Sequence, residues 1–182
     1  MYIGIILISI IILILWAIAI YNRLIKLRNL KEEGWSGVDV QLKRRHDLVG
    51  NLVNSVKGYM AHERGVLDEV TRHRADSQKA KNVGESMSAE AGLSGALGRL
   101  FAVMENYPDL KANENFRDLQ VQLEGTENRI STERRKFNDD ARVYNQYIMQ
   151  FPRNIFASIF GFKDMAYFTA EPDSEVAPQV QF

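Results

Sequence analysis

The chain has 182 residues, no cysteine, and 23 basic against 23 acidic side chains. Disulfide and thiolate chemistry are excluded. The four basic residues within positions 1–31 face no acid there, which leaves a net charge of minus four on the remainder, and an acidic body disfavours nucleic-acid binding.

Residues 1–21, MYIGIILISIIILILWAIAIY, contain no charged side chain. A helix needs about 20 apolar residues to cross the bilayer core, so this run is read as a transmembrane anchor. The small-residue pattern Ala17-Ile18-Ala19 fits a cleavable signal, but no basic residue precedes the apolar stretch and the stretch is too long for that reading. Trp16 and Tyr21 stand where amphipathic rings favour the headgroup level. Arg23, Lys26, Arg28 and Lys31 follow in a basic juxtamembrane segment over residues 22–34. Basic residues beside a span tend to stay cytoplasmic, so the expected topology is single-pass, N-terminus out and C-terminal domain in the cytoplasm.

The body, residues 35–168, reads as helices. Trp35, Val38, Leu42, Val49, Leu52, Val56, Tyr59, Val66 and Val70 recur at heptad spacing, and Leu48, Val53, Met60 and Leu67 widen the stripe to that of a bundle helix. Arg45 and Glu63 interrupt the seam, either as buried partners or, the commoner case, as marks of where the stripe meets solvent. A helix persisting from residue 22 to about 82 would reach roughly 90 Å, with Gly34 and Gly37 as places for a bend. The segment ADSQKAKNVGESM has no apolar period, and its Asn82 and Gly84 read as a helix stop. A third helix is expected from Ser88, with Leu93, Ala96, Leu97, Leu100, Phe101 and Met104 on its apolar face and Pro108 ending it.

A fourth helix opens near Asn113. Its seam is Phe116, Leu119, Leu123, Thr126, Ile130, Glu133, Phe137, Ala141, Tyr144, Ile148 and Phe151, and Pro152 ends it. A short helix capped by Asn154 follows, carrying Ile155, Phe156, Ile159 and Phe160, with Gly161 as its stop. Phe151 and Phe156 are read as closing the bundle core. For Phe160 and Phe162, core closure and an apolar surface for subunit contact or the membrane interface both stand. Residues 169–182, with two prolines and three acids, read as a flexible acidic tail.

Three strings, RRHDLVGNLVNSVKGYMAHE (44–63), YPDLKANENFRDLQVQLEGTENRISTERRKFNDDARVYNQYI (107–148) and FPRNIFASIFGF (151–162), together with an N-terminal anchor, resemble the LemA family of bacterial membrane proteins. Gly50 stands where relatives commonly carry proline, and Phe137 replaces a common tyrosine. The resemblance implies that the soluble part is an antiparallel all-α bundle, and the expected location is the cell (inner or plasma) membrane of a bacterium. Relatives occur broadly in bacteria, some at magnetosome membranes, and the family's biochemical role is poorly defined.

Catalytic signatures are weak. His62-Glu63 opens like a zincin motif, but Val66 stands where the second histidine is needed. Glu69 and His73 share a helix face, and a solvated ion pair explains them better than a metal site, which needs further ligands. Asp139-Asp140, and Glu124 with Glu127, alternate with basic residues as on an exposed charged face. No cofactor and no enzymatic activity are expected. The expected function is a self-associating, homo-oligomeric scaffold whose partners are the lipid bilayer and copies of itself. An adaptor recruiting another membrane or cytoplasmic protein is the second reading, and a membrane-bound enzyme the third.

Overall fold

The computed structural model describes residues 2–169, and all regular structure among them is helical. The helices are α1 (Tyr2–Val56), α2 (Arg64–Ser77), α3 (Val83–Met104), α4 (Pro108–Ala112), α5 (Glu114–Met149) and α6 (Arg153–Ile159). Contacts gather them into two units. Residues 2–37 join residues 134–167, and the second unit is built on residues 38–133.

The first unit pairs the N-terminal part of α1 with the end of α5 and with α6. Ile20, Leu24, Leu27, Tyr144, Ile148 and Ala157 form its buried cluster. The two long helices run antiparallel here: Gly34 faces Phe137, while Arg28 lies by Tyr144. Phe137 is fully buried and meets Trp35 edge-on, with ring centroids 6.1 Å apart. Ahead of this cluster α1 is apolar and exposed. Only 6% of its most apolar window is buried, which distinguishes it from the core helix of a soluble domain and leaves lipid as the partner for its surface.

In the second unit, Val49, Leu52 and Val56 of α1 pack with Leu67 and Val70 of α2, with Leu93, Leu97, Leu100 and Met104 of α3, and with Leu110, Phe116 and Leu123. α2 runs antiparallel to α3, since His73 meets Gly92 while Glu69 meets Arg99. A Cβ on Gly92 would stand 2.7 Å from the His73 ring, so glycine there is what lets the imidazole in.

Several boundaries differ from the sequence reading. α1 passes Gly34 and Gly37 as unbroken helix but ends at Val56, well before residue 82. The turn over residues 57–63 tucks Met60 fully into the core. Folding back there buries Leu67 and Val70 against α3, whereas a continued helix would carry them away from it. Asn82 opens a helix and does not close one. Its backbone is extended, its Oδ1 accepts the Glu85 N–H at 2.9 Å, and the Glu85 carboxylate accepts the Lys81 N–H at 2.8 Å. This reciprocal cap starts α3 five residues ahead of Ser88. Pro108 stands at the first position of an extra helix, α4, where its missing N–H leaves no intrahelical bond unmade.

Other boundaries agree. Asn113 accepts the Phe116 N–H at the start of α5. At α6 the reading of Asn154 as the cap is corrected: Pro152 is the N-cap and Asn154 lies inside the first turn, while the helix ends at Ile159 and Gly161, just past its C-cap, has a φ of 72° that suits a residue without a side chain. The acidic tail, beyond Thr169, lies outside the described residues.

Candidate functional site

Two constellations stand out from the helical background, one in each unit. The first is a buried ion cluster. Arg45, 5% exposed, projects from the α1 seam between Leu42 and Val49. It therefore does not mark where that seam meets solvent. Its Nη1 donates to Glu90 Oε2 at 2.9 Å and reaches Glu127 Oε2 at 3.2 Å, and its Nη2 donates to Ser94 Oγ at 2.8 Å. His46 Nε2 lies 2.7 Å from the other Glu90 oxygen. A carboxylate only accepts, so the ring proton belongs on Nε2. Glu90 itself is 2% exposed. A carboxylate so buried requires its charge and lone pairs to be met, and here both oxygens are engaged. From α2, Arg74 Nε donates to the His46 carbonyl at 2.6 Å, crossing over Gly50.

The cluster was only half legible. Arg45 stands out in the sequence as a polar residue in an apolar seam, whereas nothing in the α3 apolar face read above singles out Glu90. The missed signal is register: residues 90, 93, 97, 100 and 104 fall on one α3 face. A lone acid in one apolar seam is the counterpart of a lone base in another.

The remaining polar groups do not converge. Glu69 takes the Arg99 guanidinium, and His73 stands 3.9 Å from it. Glu63 accepts from the Tyr107 hydroxyl at 3.3 Å, Asp139 pairs with Arg142 at 2.7 Å, and Glu124 accepts from Gln120. Among the described residues no group of three or more His, Asp or Glu side chains is placed to hold a metal ion. A groove of about 400 Å³ opens beside Arg45, lined by Ser94, Leu97, Phe101, Leu123 and Glu127.

The second constellation is a ladder of aromatic contacts between α1 and the α6 segment. Trp16 meets Phe156 edge-on at 5.7 Å between centroids. Tyr21 meets Phe160 at 4.9 Å and Phe162 at 6.3 Å. Arg28 stands 5.8 Å over the Phe162 ring and pairs loosely with Glu32. Phe156 and Phe162 are half-buried and Phe160 is half exposed. Phe151 corrects the reading that it closes the core, being 80% exposed. The α5 seam drifts off the packed face after Ile148, and the chain leaves the helix there. Arg23 and Lys26 are exposed, and Lys31 is partly covered.

Behind the ladder the chain is strapped onto α5. Asn145 Oδ1 accepts the Met165 N–H, and its Nδ2 donates to the Met165 carbonyl and the Tyr167 hydroxyl, all at 2.9 Å. The Tyr144 hydroxyl donates to the Lys163 carbonyl at 3.0 Å. Burial pushes the Tyr144 phenol above its usual pKa, and nearby Arg28 partly offsets this. Asn145→Leu leaves both Met165 backbone groups without their partner, at about 1–3 kcal/mol for each buried group left unsatisfied. The expected result is faster limited proteolysis between residues 162 and 168, with the digestion pattern of the 38–133 unit unchanged.

Residues 34–182 match the profile of the LemA family. The chain is similar to Magnetosome protein MamQ of Magnetospirillum gryphiswaldense, 27% identical over 189 aligned residues that cover 88% of this chain and 70% of that protein. It is 28% identical to Magnetosome protein MamQ 2 of Paramagnetospirillum magneticum, with the same coverage. It is also 28% identical over 154 residues to Protein LemA of Metamycoplasma hominis, covering 82% of this chain and 68% of that one.

Proposed function

The chain belongs to the LemA family, and from that premise we propose that it is a non-catalytic scaffold, anchored in a bacterial membrane by α1, that assembles with copies of itself. The observation that carries this reading is where the buried charges go. Arg45, His46 and Glu90 are spent on holding α1 and α3 together, so the most polar interior point of the body serves rigidity. Relatives named as magnetosome proteins fit a role at a membrane. The basic residues 23–31 favour an N-terminus outside and a cytoplasmic body, the acidic tail included.

Confinement to two dimensions raises effective concentration, so modest lateral contacts suffice for assembly. Exposed Val40 on the second unit is apolar surface available for such contacts. Mass measurement of the full chain in mild detergent is expected to give a defined homo-oligomer; a monomer across the accessible concentration range would overturn this. A second reading, an adaptor for another protein, rests on the groove beside Arg45. Monomers that copurify with a stoichiometric partner would favour it.

A further inference from the structure

We propose that α6 and the residues flanking it form a second membrane-contact element, inserted into the lipid interface beside the point where α1 leaves the bilayer. The proposal rests on α1 spanning the membrane and does not depend on whether copies associate.

Depth is the first argument. The apolar run of α1 ends at Tyr21, and Asn22 and Arg23 follow. With a rise of 1.5 Å per residue, Trp16 sits about 8 Å deeper than Tyr21 along the helix. Phe160 touches Tyr21 and Phe156 touches Trp16, so α6 occupies the same band of depth as the residues it contacts. That band, about 5–10 Å into the headgroup and acyl boundary, is where interfacial helices lie.

Surface chemistry is the second. α6 turns Ala157 into the buried cluster. Its outward side shows Ile155 and Ile159, one turn apart, and Phe151, in the turn ahead of the helix, is 80% exposed. Ile159 is 70% exposed, and Phe160, next in sequence, is half exposed. In water these side chains would form a patch with no partner. At the depth of Trp16 and Tyr21 their partner is lipid.

Charge is the third. No Asp or Glu occurs between Asp140 and Asp164, or before Glu32. Within these two stretches stand Arg23, Lys26, Arg28, Lys31, Arg142, Arg153 and Lys163. The two stretches thus carry only basic charge, bounded by Glu32 and Asp164, and basic charge near the surface favours anionic headgroups. Arg153 lies over the Tyr147 ring at 4.4 Å, an arrangement in which a long basic side chain covers apolar surface with its stem.

The absence of native cysteine makes the test direct. Single variants Phe151→Cys, Ile159→Cys, Ile12→Cys and Val121→Cys of the full chain are labelled with an environment-sensitive fluorophore and reconstituted into vesicles of zwitterionic and anionic lipid. All four positions are outward-facing, so labelling leaves the packed clusters intact. The expected result is that labels at 151 and 159 are quenched by shallow spin-labelled lipid and are several-fold less accessible to aqueous iodide than the label at 121. Iodide quenching at 151 and 159 equal to that at 121 would overturn the proposal. Protection of both from iodide and lipid quencher alike would also overturn it, and would assign the surface to a second protein copy. The label at 12 reports separately whether α1 itself is in the bilayer.

Discussion

Glu90→Ala lowers the stability of the full chain by about 3–5 kcal/mol, the cost of removing one partner from a buried ion pair. The size follows from what stays behind. Arg45 keeps Ser94 and the half-exposed Glu127, but the carboxylate that meets its charge inside the core is gone. His46 Nε2 also loses its acceptor, and a buried donor without one adds about 1–3 kcal/mol of penalty. Glu90→Gln retains the shape and loses the charge, so its effect is smaller. Arg45→Met combined with Glu90→Leu recovers the part of the loss that comes from the uncompensated Arg45 charge, while His46 Nε2 still lacks its acceptor. Thermal unfolding followed by circular dichroism in mild detergent reads all three. A Glu90→Ala variant as stable as the parent would mean that the cluster is solvated and not a clamp.

Phe137→Ala costs a comparable amount, about 3–5 kcal/mol, through a cavity in place of lost charge. Phe137 is fully buried on α5 in the first unit, edge-on to Trp35 and against the backbone of α1 at Gly34. Its removal takes away the edge-on ring contact with Trp35 and leaves a cavity between two long helices. At roughly 2–4 °C per kcal/mol for a chain of this size, the melting midpoint falls by about 10 °C. The accompanying signature is a change in Trp35 emission, isolated by repeating the experiment on a background with Trp16→Phe. Phe137→Tyr restores the ring but leaves a hydroxyl at a site with no exposure, so it is milder than alanine and still destabilising. Because Phe137 and Glu90 lie in different units, hydrogen exchange is expected to localise the two effects separately.

The sequence alone determined the class of structure. A charge-free run long enough for a bilayer, seams at three- and four-residue spacing, the Asn113 cap and the Gly161 stop depend on local periodicity and local backbone preference, and the helices over 114–149 and 153–159 follow from them closely. Family membership likewise rests on strings that can be read without coordinates. What tertiary structure alone decided is where helices stop and what their irregular residues meet. α1 ends at Val56 because Leu67 and Val70 bury better by folding back, a gain that exists only once α3 is present to receive them. Asn82 caps a helix where local composition suggested an ending. Arg45 looked like a solvent boundary until Glu90 arrived from 45 residues away. Phe151 had the right spacing for the core but lies past the last residue of α5 that packs. The Asn82 cap is local, made with Glu85 and Lys81, and its Asn-x-x-Glu spacing stands in the sequence; the other three share one physical reason. Spacing along a chain reports which face a residue shares, while burial and charge pairing depend on the opposite face, which is supplied by a distant segment.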